Sequence, residues 1–187
     1  MPESTLLPFT FVSDNIHKIN LLEKILKTCV NHQRLALDEI QSMDSLAVAA
    51  HKAKQAWLNI GTPVLIWDQS LHIDCLNGFP GPLVKWFWET VSLKKICDIV
   101  SHYENRSLHT TTTLAYYDGL DIQYFTSSIY GGIPAQPRGA NGFSWDAIFI
   151  PNDYQKTFAE MTANEKEDTG VHRIAIENFK CHMQSYA

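Results

Sequence analysis

Three features of this 187-residue sequence predict an α/β protein with one mixed β-sheet flanked by helices. Apolar runs alternate with helical stretches in the first half. In the second half an Asp118-Gly119 turn joins two strand-like runs, and 45% of the residues are hydrophobic against 19% charged. That balance belongs to a chain that buries a core and not to a disordered one. The length suits one domain spanning residues 1–187.

Residues 8–13, rich in Phe and Val, read as a strand. A helix follows, with apolar positions at Ile19, Leu22, Ile25, Leu26 and Cys29 and with Asp14 or Asn15 as its cap. Residues 34–37 read as a second strand running into the acidic segment Asp38-Glu39. Residues 46–60 are Ala-rich with helical spacing, stopped by Gly61. Residues 63–67 are a buried strand ending at Asp68, and residues 77–82 are dense in turn formers. Helices are predicted over 84–90 and 93–102, then a hairpin pairing 108–117 with 120–126. Gly131-Gly132 and Pro137-Arg138-Gly139 mark loops, 147–150 reads as a strand, and 173–183 as a closing helix. The second half is expected to form a lobe of its own.

A net charge of −5 leaves no global basic field, so no nucleic-acid partner is expected and any bound phosphate must meet local cations. Cys29, Cys75, Cys97 and Cys181 are scattered without metal spacing and read as reduced packing residues. Residues 1–8 lack the basic flank and apolar run of a signal peptide. No stretch of about 18 apolar residues occurs, so a soluble cytoplasmic protein away from membranes is expected.

The turn Ser13-Asp14-Asn15 opens a helix with Lys18 one turn in. Free N–H groups, the helix dipole and the ammonium suit a phosphate, although spacing alone equally fits an ordinary cap and a solvated lysine. Glu39 and Asp68 each close an apolar strand, and two carboxylates brought together there suit Mg²⁺, or Mn²⁺ in its place. Separately, each reads as a loop acid. Phe143, Trp145 and Asp146 offer flat rings beside an acid for a nucleobase, or simply core. His172 and Arg173 donate hydrogen bonds when charged and suit a purine carbonyl, or form a surface pair.

Taken in order, these segments resemble the inosine triphosphate pyrophosphatase family over roughly residues 9–182. The opening T/S-G-N-x-x-K is similar to Ser13-Asp14-Asn15-Ile16-His17-Lys18, and L-x-E-I/Y-Q to Leu37-Asp38-Glu39-Ile40-Gln41. The acidic E/D-D-x-x-L followed by G-x-P-G-P-x-x-K-W-F looks like Trp67-Asp68-Gln69-Ser70-Leu71 and then residues 78–87. Pro137-Arg138-Gly139, Phe143-Ser144-Trp145-Asp146, residues 157–161, Glu165-Lys166 and His172-Arg173 complete the series. The resemblance implies an elongated mixed sheet of two lobes with a central nucleotide cleft. It also implies Mg²⁺-assisted hydrolysis of noncanonical purine triphosphates to monophosphate and pyrophosphate, and a homodimer. Ser13, Asn15 and Lys18 would hold the triphosphate, Glu39 and Asp68 the metal, and Lys85 and Lys166 would add positive charge. Phe143 and Trp145 would stack on the base, with Asp146, His172 and Arg173 reading its edge. Asp68 and Lys18 would carry the chemistry.

Departures from the pattern fall on the same machinery. Trp67 replaces an acid, Ala47 a Glu, Asp14 and Ser144 each a Gly, Ala147 a Pro and Val171 a Ser. They define a second reading: a catalytically impaired protein that binds nucleotide or a protein partner.

Overall fold

Every other element is placed around the third strand in chain order in the computed structural model, which describes residues 8–185. The strands are β1 (Thr10–Val12), β2 (Asn31–Gln33), β3 (Val64–Ile73), β4 (Pro80–Gly81), β5 (Ser107–Tyr117), β6 (Ile122–Gly132) and β7 (Ile150–Pro151). They form one seven-stranded sheet in the order β2-β1-β3-β5-β6-β7, with β4 paired to β3. β1 runs parallel to β2 and β3, and the remaining pairings are antiparallel. The mixed sheet predicted from the sequence is therefore present.

The helices are α1 (Ile16–Leu26), α2 (Ser45–Ile60), α3 (Val84–Val91), α4 (Leu93–Val100), α5 (Ala163–Asp168) and α6 (Arg173–Gln184). Asn15 caps α1, its side-chain oxygen accepting from the His17 and Lys18 N–H groups, and Asp44 caps α2 in the same way. Both satisfy N–H groups that the first helical turn leaves unpaired. α1 and α6 pack with Leu65, Trp67 and Leu114 in one core cluster. The Ala49, Ala53 and Ala56 stripe of α2 packs with Val64, Ile66 and Ala115 in another. Successive residues of β3 point to opposite faces, so Trp67 belongs to the first cluster while Asp68 turns toward α2. A third cluster joins α3 and α4 to Ile148, Phe149 and Phe158.

Several boundaries differ from expectation. The second strand is Asn31–Gln33 and not 34–37, because the three residues of β1 fix the register from Thr10 opposite Asn31 to Val12 opposite Gln33. β3 continues past Asp68 to Ile73 because β5 pairs with it along its whole length; Asp68 is thus mid-strand. β6 runs through Gly131-Gly132, which is not a loop: a Cβ on Gly131 would collide with the Ile150 carbonyl of β7. Only Ile150 of the expected strand at 147–150 is in β7, and half of that strand belongs to a 3-10 helix, Ser144–Ile148. There the Asp146 carboxylate accepts from the Phe143 N–H and closes the chain into a turn. Only Cys97 among the four cysteines is buried, whereas Cys29 and Cys181 are exposed, which corrects their reading as packing residues. Residues 1–7, on which the signal-peptide expectation rested, lie outside the described residues. Among the described residues no helix is long and apolar enough to cross a membrane.

Candidate active site

The cleft begins as a gap in the sheet. On one edge of β3, β1 pairs as far as Leu65 and β4 resumes at Leu71, so residues 66–70 have no strand beside them on that edge. Backbone groups there need other partners. Lys18, from the first turn of α1, supplies one: its Nζ donates to the Trp67 carbonyl at 3.0 Å.

On the α2 side of the gap, Lys52 gathers the acids. Its Nζ lies 2.9 Å from Asp68 Oδ2 and 3.2 Å from Glu39 Oε1. Burial alone would lower the Lys52 pKa, but the charge and hydrogen bond of Asp68, joined by those of Glu39, outweigh it and hold the ammonium above its ordinary value. A cleft of about 10 Å³, lined by Glu39, Asp68, Ser70 and Thr113 among others, opens beside this triad. Thr113 sits opposite Asp68 on β5, and its buried hydroxyl has no hydrogen-bond partner. A buried hydroxyl without a partner marks a place for a water or an ion, and a cleft of this size holds about one water.

The residues present suit Mg²⁺. Glu39 and Asp68 supply two carboxylates, in keeping with an ion that takes one or two from the protein, keeps its waters and shares substrate phosphates. The oxygen-only donor set and the unpartnered Thr113 hydroxyl are consistent with such an ion.

On the opposite face of β3, Trp67 contacts two functional candidates. Lys18 Nζ lies 5.4 Å from its ring centroid, and the His172 ring meets it edge-on at 4.9 Å. Burial, with Lys52 nearby, draws the Lys18 pKa down to about 8 against the opposing pull of Asp68 and Glu39. Burial again, helped by Lys18 and Lys166, pushes His172 down to about 3. His172 is therefore neutral, which corrects the expectation of a charged donor. Its Nδ1 lies 2.7 Å from Thr112 Oγ1, while that hydroxyl donates to the Val171 carbonyl at 3.1 Å. The single hydroxyl proton serves either the Val171 carbonyl or Nδ1; where it serves Val171, Nδ1–H donates to Thr112 and Nε2 is left as an acceptor.

Lys166 closes the series by pairing with Asp146 at 2.6 Å. The same carboxylate oxygen accepts from the Phe143 N–H, and Gly142 makes this possible, since a Cβ there would strike the Asp146 carboxylate. Asp146 is 7% exposed and fixes Lys166 and Phe143. Phe143 presents its ring to solvent, 76% exposed, with Trp88 edge-on at 6.3 Å. Trp145 is half-buried against the α3–α4 core.

Lys18, Glu39, Asp68 and His172 are thus brought together, with Lys166 and Asp146 at the far end. Lys85 is not among them: it lies on the exposed side of α3, over the Trp86 ring at 5.8 Å. Arg173 pairs with Glu167 and Glu177. Ser13 accepts from the Asn15 N–H and shapes the loop. Asp14 is held by Arg34 at 3.1 Å on the surface. Lys52 and Thr113 were not foreseen.

A family model described as the Ham1 family matches residues 9–182. The chain belongs to the Ham1 family. It is 34% identical over 181 residues to a Candida glabrata protein named inosine triphosphate pyrophosphatase, with 91% of this chain and 94% of that protein covered. It is 34% identical over 155 residues to a Hyperthermus butylicus protein named dITP/XTP pyrophosphatase, covering 81% and 82%. The solved structure of a Ham1 protein from Coxiella burnetii superimposes with a TM-score of 0.82 at 22% identity, covering 95% of this chain and 98% of that one. That likeness shows that the Ham1 fold is shared.

Proposed function

We propose that this Ham1 protein hydrolyses the triphosphates of noncanonical purine nucleosides, of inosine, deoxyinosine or xanthosine type, to the monophosphate and pyrophosphate. The observation that carries the reading is the convergence of Asp68, Glu39 and Lys52 on one side of the sheet gap and Lys18 and His172 on the other. The names borne by its relatives point to the same reaction.

In this reading Lys18 binds the phosphates and Asn15 and Ser13 hold the loop that presents it. Asp68 takes a proton from the water that the cleft accommodates beside Thr113. The hydroxide attacks the α-phosphorus, the bond from that phosphorus to the bridging oxygen breaks, and pyrophosphate leaves with the electron pair. Mg²⁺ held by Glu39 and Asp68 would neutralise charge on the phosphates. Lys52 keeps the two carboxylates close.

Phe143 stacks on the base, and Lys166 and Arg173 lie along its edge. In the tautomer with Nδ1–H on Thr112, His172 Nε2 accepts and complements the N1–H of a 6-oxopurine, and finds no donor at N1 of adenine. The test is pyrophosphate release with Mg²⁺ from inosine, xanthosine, guanosine and adenosine triphosphates. No release from any of them above an Asp68→Asn control ends the proposal.

Trp67 favours a second reading, in which nucleotide is bound without turnover, because an indole accepts no proton. Ligand-induced thermal stabilisation without pyrophosphate release would establish it. The assembly we propose is a homodimer in the cytoplasm, on the family resemblance; the mass in solution by light scattering tests the dimer.

A further inference from the structure

Trp67 is buried in the core cluster on one face of β3, beside Asp68, at the position where the resembling family carries an acid. It holds the Lys18 ammonium in two ways, accepting its hydrogen bond at the carbonyl, 3.0 Å away, and placing its ring 5.4 Å below it. Both contacts are with neutral groups. Among the described residues Lys18 forms no ion pair, because Lys52 engages both Asp68 and Glu39. A lysine fixed by a carbonyl and an aromatic face keeps its charge available to an anion. A carboxylate at position 67 would cancel that charge. The indole Nε1, buried and without a partner, shows that the side chain is not kept here for its hydrogen bond, so the ring and the backbone oxygen are what the site uses.

We propose that Trp67 is a positioning residue that holds Lys18 out of any ion pair, so that nucleotide phosphates bind this cleft without a divalent cation. This rests on the nucleotide reading of the site and separates two events within it. Capture depends on Lys18, and the metal bears on turnover through Glu39 and Asp68.

The experiment is calorimetric titration of the full chain with inosine triphosphate, in excess EDTA and in excess Mg²⁺. The expected result is wild-type binding in both, with similar affinity. Trp67→Glu places a carboxylate beside Lys18 and should weaken binding in EDTA by roughly tenfold or more, with recovery in Mg²⁺. Trp67→Phe, which keeps a ring and the carbonyl, should rescue binding in EDTA, and Lys18→Met should abolish it. Wild-type binding that requires Mg²⁺ overturns the proposal. So does Trp67→Glu binding in EDTA as tightly as wild type. If Trp67→Glu does not fold, the other pair decides: Trp67→Phe losing EDTA binding as completely as Lys18→Met overturns the proposal. No wild-type binding in either condition overturns the nucleotide reading itself, a result distinct from all of these.

Discussion

The ammonium of Lys52 lies 2.9 Å from Oδ2 of Asp68, and with Glu39 at 3.2 Å it makes one part-buried cation responsible for two carboxylates. Removing it leaves both acids facing each other across a narrow cleft. Breaking such a part-buried arrangement costs about 1 to 2 kcal/mol, less than a fully buried pair because solvent screens Glu39. Lys52→Met should lower the urea midpoint at neutral pH, and an unchanged midpoint would mean that the two acids do not depend on Lys52.

His172 makes stability depend on pH in a defined window. Its folded pKa is about 3 and its unfolded value is about 6.5, so between these the unfolded chain binds more protons. Stability therefore rises with pH through this range and is lost on acidification, with a slope of up to about 1.4 kcal/mol per pH unit. Urea denaturation from pH 7 to pH 4 should show a shallower loss for His172→Gln than for the wild type. Equal slopes would mean that His172 is not held neutral.

Lys18 adds a second window with the same sign. Its folded pKa of about 8 lies below its unfolded value of about 10.4, so between them the unfolded chain again holds more protons and this group's contribution to stability rises with pH. Binding moves the other way. The affinity for inosine triphosphate in EDTA should fall as pH rises through about 8, and Lys18→Arg, whose guanidinium stays charged, should show no such step.

Much of this arrangement was legible in the sequence because it is local. The Ser13-Asp14-Asn15 turn before a periodic helix, the Ala stripe of α2 and the Asp118-Gly119 hairpin each follow from neighbouring residues. The order of the segments was enough to give the family. The gap in the sheet was not legible, since it depends on where β1 stops and β4 begins against β3, a matter of long-range register. For the same reason Asp68 looked like a strand end. Lys52 was missed because Lys52 and Lys54 together look like a solvated helix face. A signal was nevertheless present: Val48 is buried and Lys52 lies one turn beyond it, on the same face. Lys85, matched by resemblance, is exposed on α3 over the Trp86 ring.

Ser144 occupies a backbone conformation that its residue type disfavours, with φ at 61°. Its buried hydroxyl also lacks a hydrogen-bond partner. Glycine adopts this conformation freely and carries no hydroxyl to bury. Ser144→Gly should therefore stabilise the protein by about 1 kcal/mol, read as a higher melting temperature by calorimetry. Pyrophosphate release should be retained, because the turn still places Asp146 beneath the Phe143 N–H.

Thr113 gives the sharpest separation of stability from catalysis. Its hydroxyl is buried without a partner and lines the cleft beside Asp68, so in the free protein it contributes an unsatisfied group and no bond. Thr113→Val keeps the shape and removes that group, so stability should hold or rise slightly. If the hydroxyl positions the attacking water, the same variant should lose turnover by about tenfold with little change in KM, because the interaction forms on the path to the transition state and not on substrate binding. Steady-state pyrophosphate release beside a melting curve decides it. Unchanged kcat with raised stability would make Thr113 a packing residue, and Asp68 would then orient the water without it.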